Sequence, residues 1–508
     1  MSRTWSRTSM SMVMMLVLVI AGIGCSAKST TNAVETTQPS KVEKVYIYAN
    51  AGNLEVASSF SKPEELELVR QEIIKKSGFE IVPIIPPKGG GDKLSLLLAS
   101  NEPLDIFMGD VVMYRNHKAI QPVQKLLDKH GANILKLWPE AWSDSWKAFS
   151  DKEGNVWGIP SAPSLALKPV FLRTDWLKKL NLSMPTTIEE FEHVLQAFKE
   201  KDPMGNGQTI PLIAPVDALN LGLAGGFMDI GYGNWLDTDG KIKPAELHPG
   251  YRAFIEKMSE WYKKGYIYKE TYTLSSAGAR ELVTKGRVGA SLIHYSLITN
   301  SEHQLQQIVP EAKYEVAADL KGPQGFIQTL PDTPTLGWLI SKNSKNPEAA
   351  IKLINWIYSD IENYNLLFYG IKDRHWKYVD EENHVMEQLN QDYAGEFLTA
   401  STVAYMKMTS FSDPAQKPEY DYLSTYSGDT SRVKKGTTAD RSFLYDYKLI
   451  SDSLPNQADI TRMTYEEIVK FITGARPMSD YDKFIEELYA AGLDKWIEVY
   501  TEQYNNAK

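Results

Sequence analysis

The sequence predicts an α/β protein built from more than one lobe, and three observations carry that reading. The chain is 508 residues long, more than one hydrophobic core ordinarily holds. Its first folded stretch alternates strand-like and helix-like patterns, as β-α-β units with parallel strands do. Hydrophobic residues make up 43% and charged residues 23%, the balance of a soluble globule rather than of a disordered or polytopic chain.

Val42 to Ala49 carries Val45, Tyr46, Ile47 and Tyr48, β-branched and aromatic residues suited to a strand. Pro63 to Ser77 follows with apolar Leu66, Leu68, Val69, Ile73 and Ile74, then Gly78 and a second strand from Phe79 to Ile85. Lys93 to Ser100 is a predicted helix, and Leu104 to Met108 a buried strand ending in Gly109-Asp110. Further on, Pro185-Thr186-Thr187 before Glu189-Glu190 is a helix start, with Thr as cap and acids where the helix dipole favours them. Asn346-Pro347-Glu348 opens a helix from Ala349 to Tyr358 in the same way, Pro being tolerated at the first helical position.

Ahead of the body, Met10 to Gly24 is an uncharged, mostly apolar run preceded by Arg3 and Arg7, the pattern of an export signal and short for a membrane span. The single cysteine, Cys25, stands directly after it. The body therefore holds no disulfide, zinc-cysteine cluster or cysteine nucleophile. Residues 26 to 40 are Ser/Thr-rich and polar, a flexible tether with a reach of roughly 20 Å.

The net charge of -9 argues against a general nucleic-acid surface. Gly89-Gly90-Gly91-Asp92-Lys93 lacks the spacing of a phosphate-binding loop and reads as a turn. Neither a zinc-protease, a nucleophile-elbow nor a dinucleotide motif is present, and the eight histidines show no ligand spacing. No catalytic residues are expected. The 12 Trp and 27 Tyr fit a binder of sugar rings, whose C–H faces stack on aromatics, although most such residues fill cores.

Several segments, weak singly and specific in their order, resemble the family 1 extracellular solute-binding proteins of ABC importers, in particular LplA-type lipoproteins related to alginate-oligosaccharide binders. They are Leu97 to Ile106, Gly154 to Pro160, Arg173 to Leu180, Lys285 to Ala290, Asn346 to Ala350, Phe471 to Gly474 and Tyr481 to Phe484. Gly24-Cys25 likewise resembles a lipoprotein signal in which the cysteine takes a diacylglyceryl group, although Gly22 stands where an aliphatic is usual. Ordinary cleavage after Gly22-Ile23-Gly24 is the alternative.

The resemblance implies a two-lobe, type II periplasmic-binding-protein-like fold with the ligand closed between the lobes. It divides the chain into a signal (1–24), a tether (25–41), a first lobe (42–166 with 336–370) and a second lobe (167–335 with 371–508). It implies a lipid-anchored receptor on the outer face of the membrane, expected to be a monomer, that passes an oligosaccharide to permease subunits. A peptide or other non-carbohydrate ligand in the same scaffold is the alternative, and an exported glycan-degrading enzyme a further one.

Residues that follow predicted strands and that the resemblance sets at the lobe interface are Asn50, Asp110, Trp157, Arg173, Trp235, His294, Tyr295, Trp338 and Arg374. Related proteins often carry a calcium loop, corresponding here to Asp202 to Pro211. Asp202, Asn206 and Gly207 fit its first, fifth and sixth positions, but Met204 and Ile213 are poor stand-ins for ligands. A surface turn is the preferred reading, and no cofactor is expected.

Overall fold

A computed structural model describes residues 42–507 apart from 49–60, 85–92, 101, 138–142, 162–165, 331–334, 394, 396–409, 415–416, 427–429, 437–438, 440 and 442–443. The signal, the tether, Cys25, Asn50 and the Gly89 turn lie outside the described residues.

The chain opens with strand β1 (Glu43–Tyr48), helix α1 (Pro63–Ser77), β2 (Phe79–Ile84), α2 (Lys93–Ala99), β3 (Ile106–Asp110), α3 (Val111–Asn116) and the short β4 (Ile159–Pro160). The ends of α1 follow from sequence: Pro63 starts it, and Gly78 ends it at φ +76°, a left-handed conformation that glycine adopts without strain. A second group comprises β5 (Phe171–Arg173), α4 (Thr174–Lys179), α5 (Ile188–Lys201), β6 (Ile210–Ile213), α6 (Val216–Leu223), β7 (Val288–Ser291), α7 (Tyr295–Gln306) and β8 (Tyr314–Val316). Thr187 caps α5 as expected, accepting the Glu190 N–H at 3.2 Å, and the Glu190 carboxylate reaches back to the Thr186 N–H at 2.7 Å. The chain then returns through β9 (Leu336–Ile340) to α8 (Pro347–Ile357), and continues through β10 (Trp376–Asp380), β11 (Val385–Gln388), β12 (Ser410–Phe411), α9 (Lys417–Thr425), α10 (Gln457–Thr473), α11 (Tyr481–Ala490) and α12 (Leu493–Ala507).

Two mixed sheets organise the first two groups, and β10, β11 and β12 form a separate three-stranded sheet. The first runs β2-β1-β3-β9-β4, and the second β8-β5-β7-β6. In the first, β1, β2 and β3 are parallel and β9 is antiparallel to both β3 and β4. In the second, β6 and β7 are parallel and β5 is antiparallel to β7. Each sheet has its own core. Val45, Ile106, Phe107, Ile159 and Trp338 pack with α8 around the first, whereas Leu172, Phe191, Leu212 and Trp261 pack with Phe471, Phe484 and Trp496 of α10 to α12 against the second.

The segment after Ile371 departs from the expected division. Arg374 and His375 bond to Glu65 on α1, Lys62 pairs with Asp392 at 2.9 Å, and Tyr393 joins the first core. Residues 371–393 thus pack with the first sheet; contact with the second resumes at α9, whose Tyr422 and Leu423 join a core with Phe171 and Val288. Among the described residues no helix is long and apolar enough to cross a membrane.

Candidate functional site

In open α/β sheets, ligands bind outside the carboxyl ends of the parallel strands. At that edge of the second sheet, β6 runs into Ala214 and the start of α6, and β7 into Leu292 to His294 and the start of α7. His294 caps α7: its Nδ1 accepts the Ser296 N–H at 3.3 Å and lies 2.9 Å from the Ser296 hydroxyl. Its ring leans on Tyr295 at 4.6 Å, and Tyr295 stacks on Tyr422 of α9 at 4.5 Å with the planes 17° apart. The incoming chain is pinned here as well. Tyr422 donates its hydroxyl to Ala166 O, the Tyr295 N–H reaches Leu167 O at 3.0 Å, and Lys168 pairs with Asp217 in the first turn of α6. Burial, aided by the charge of Lys168, lowers the pKa of His294, so a neutral imidazole stands beside an ammonium-carboxylate pair. Such a set offers donors and acceptors suited to hydroxyl groups.

The first sheet presents its carboxyl edge through Asp110, Ser161 and Thr335. Asp110 ends β3 and caps α3, one carboxylate oxygen accepting the Met113 N–H at 2.7 Å and the other the Thr335 hydroxyl. Ser161 follows β4 and donates its hydroxyl to Leu336 O at 2.9 Å. From Ser161 to Ala166 is five backbone steps, at most about 18 Å when extended. Ser161 and Ala166, on the two carboxyl edges, are therefore no farther apart than that span.

The structure brings Asp110 to one edge, and His294 and Tyr295 to the other; Tyr295 is buried beneath the imidazole. Five expected positions are elsewhere. Arg173 lies at the far end of its sheet, because β5 is antiparallel to β7 and Leu172 already pairs with Ala290. It is 1% exposed and holds Asp175 through two bonds of 2.7 and 2.6 Å. Trp338 is the middle residue of β9, paired with Met108 and Ile159 inside the first core; Leu336, at the strand's start, is the residue that reaches the edge and is 50% exposed. Trp157 precedes β4 and so sits toward the amino end, its indole N–H donating to Asp151 at 2.7 Å.

Trp235 stands in a separate hairpin with Ile242 and Lys243, bonded to Pro244 O at 3.1 Å and edge-on to His248 at 4.9 Å. Arg374 is committed to Glu65 in the first turn of α1, with two bonds of 2.6 Å. Lys168, Asp217 and Tyr422 were missed by sequence reading: a Lys-Asp pair 49 residues apart carries no local signal.

The Asp202 loop closes on itself. One Asp202 oxygen accepts the Thr209 hydroxyl at 2.5 Å and the other the Gly207 N–H at 2.7 Å, which lowers its pKa. Met204 offers no oxygen from its side chain, and Ile213 is fully buried in β6. These residues do not fit a calcium site. Among the described residues no group of three or more His, Cys, Asp or Glu could hold a metal ion.

Comparison with known proteins agrees with this architecture. Residues 72–363 match the family described as bacterial extracellular solute-binding protein. Lipoprotein LipO of Bacillus subtilis is 23% identical over 505 residues, with 96% of each chain covered. The fructooligosaccharide ABC transporter substrate-binding protein FusA of Streptococcus pneumoniae is 23% identical over 557 residues, covering 100% of this chain and 99% of that one. Among solved structures, an HMO-binding, ABC-transporter-associated solute-binding protein from Bifidobacterium longum infantis superposes with a TM-score of 0.67 at 16% identity, over 91% of this chain and 98% of that one. With a family match over more than half its length and two mixed α/β sheets, the chain belongs to the bacterial extracellular solute-binding proteins, the non-catalytic substrate receptors of ABC transporters.

Proposed function

We propose that this receptor is anchored by lipid on Cys25, captures an oligosaccharide between its lobes and passes it to the membrane permease. The observation that carries the reading is the second sheet's edge, where His294 follows β7 and feels the charge of Lys168, itself paired with Asp217: a charge-balanced polar set suits hydroxyl recognition. FusA, by its name, takes fructooligosaccharides, and LipO is a lipoprotein; both support the proposal by similarity. We place the lobe boundaries at residues 166 and 336 as the sequence suggested, and move the third from 370 to the stretch between β12 and α9. Asp110, His294 and Tyr295 are retained as candidate contacts or supports.

Titration calorimetry of the purified protein against matched panels of oligosaccharides and peptides tests the proposal. Saturable binding of an oligosaccharide without release of shortened products is expected. Binding confined to peptides would refute it.

A further inference from the structure

The turn from α5 to β6, where the resemblance sets a calcium loop, is closed by the protein's own donors. Counted from its start, a calcium loop takes side-chain oxygens at the first, third and fifth positions, a backbone carbonyl at the seventh and a bidentate carboxylate at the twelfth. From Asp202 onward, each of these positions either lacks an oxygen or is already bonded within the chain.

Asp202, the first position, accepts the Thr209 hydroxyl on one carboxylate oxygen and the Gly207 N–H on the other. Met204, the third, has no side-chain oxygen. Asn206, the fifth, accepts the Gln208 N–H through Oδ1 at 3.0 Å. The carbonyl of Gln208, the seventh, accepts the Arg287 guanidinium at 3.2 Å. By the ninth position the chain has entered β6, where Ile210 pairs with Val288 of β7 and donates its N–H to Arg287 O at 2.8 Å. Asp202 is the single carboxylate between Asp202 and Ile213, whereas calcium affinity is set by the number of charged ligands.

Two cations of the chain itself reach this turn from different elements. Lys179, the last residue of α4, donates its ammonium to Pro203 O at 2.6 Å. Arg287 comes from the stretch just before β7. Both sit on loop carbonyls, so they tie the turn to α4 and β7 much as a bound ion ties its ligands together. Their charges also repel a divalent cation there. The backbone is left-handed at Asp202, Gly205 and Gly207, with φ of +43°, +79° and +71°, a tight coil that the glycines adopt without strain.

We infer that Lys179 and Arg287, with the Thr209 hydroxyl, replace the metal ion of a calcium loop, so that the second lobe folds without calcium and gains no stability from it. A metal-closed loop couples its folding to metal concentration; a loop closed by side-chain cations does not. The inference is independent of what the receptor captures.

Thermal melts and hydrogen-exchange mass spectrometry of the purified chain, stripped with EDTA and then supplied with calcium chloride, test it. At about 1 mM calcium a micromolar site would raise the melting temperature by roughly 5 °C or more. The wild type is expected to show no rise and no change in exchange of the Met204 to Thr209 amides. Lys179→Met and Arg287→Met should each speed exchange of the Gly207 amide about threefold to tenfold, the scale of one hydrogen bond, and calcium should restore none of it. Thr209→Val, which removes a partner of Asp202 directly, should act in the same direction. A calcium-dependent rise in melting temperature or slowing of loop exchange in the wild type would overturn the inference. Unchanged Gly207 exchange in the Lys179→Met, Arg287→Met double variant would overturn it equally, since the loop would then stay closed without either cation.

Discussion

Arg173 separates a ligand-binding role from a structural one. It is buried, its guanidinium bonds both Asp175 oxygens and Gly286 O at 3.3 Å, and it lies 4.6 Å from the Trp176 ring centroid. Arg173→Met keeps much of the volume but leaves the Asp175 carboxylate, whose side chain is 10% exposed, without its counter-charge. Breaking a buried pair from one side costs about 3–5 kcal/mol, and the lost bond to Gly286 O falls within that range. Because the cost is mostly the stranded carboxylate, the double variant Arg173→Met with Asp175→Ala should recover at least half of it. Urea denaturation of the three proteins measures the stability term, and titration with a bound oligosaccharide measures affinity on the same samples. Unchanged affinity with a lowered denaturation midpoint is expected. Retained stability with lost binding in the single variant would refute the far-edge placement and restore Arg173 to the ligand site.

Cys25→Ala should move the protein from membrane fractions to the medium without altering its melting temperature, since only the proposed acylation site changes; equal retention on membranes would sink the anchor. Glu65 is held at a pKa of about 2 by the Arg374 guanidinium, with His375 adding a further bond, against an ordinary 4.5. Its contribution to stability is therefore complete above pH 4.5 and is lost as pH falls toward 2, so the stability gap between wild type and Glu65→Gln should close over that window in denaturation curves; a gap independent of pH would refute the pairing. His294→Asn, which keeps a side-chain acceptor at the start of α7, should weaken oligosaccharide binding about fivefold to twentyfold, the scale of one polar contact, with little change in stability; intact affinity by calorimetry would remove His294 from the site.

Local rules were the most legible part of the sequence. Pro63 and Gly78 set both ends of α1, and Thr187 with Glu190 set the start of α5, because helix ends are decided by a few neighbouring groups. Strand identity was also readable, but strand direction was not. Trp338 and Leu336 share one face of β9, and which of them meets the gap depends on the antiparallel pairing with β3, a partner far away in sequence. Arg173 misled for the same reason: a polar residue after a strand suggests a carboxyl edge only if that strand is parallel to its neighbours. The turn of the chain back onto α1 after Ile371 rests on Glu65, more than 300 residues upstream, and nothing near Arg374 announces it.

The place of β9 in the first sheet also bears on how the protein is made. It lies between β3 and β4, with Leu336 opposite Asp110, so the sheet stays split until the whole second group of strands has been synthesised or threaded past. Closing so long a loop is slow, and meanwhile β3 offers an unpaired edge open to other chains. The second sheet, by contrast, draws its strands from residues 171 to 316 alone and can pair them before that closure, although its core is completed only by α10 to α12. Newly made protein should therefore aggregate through its earlier-synthesised half, and a fragment ending before Leu336 should show that tendency permanently.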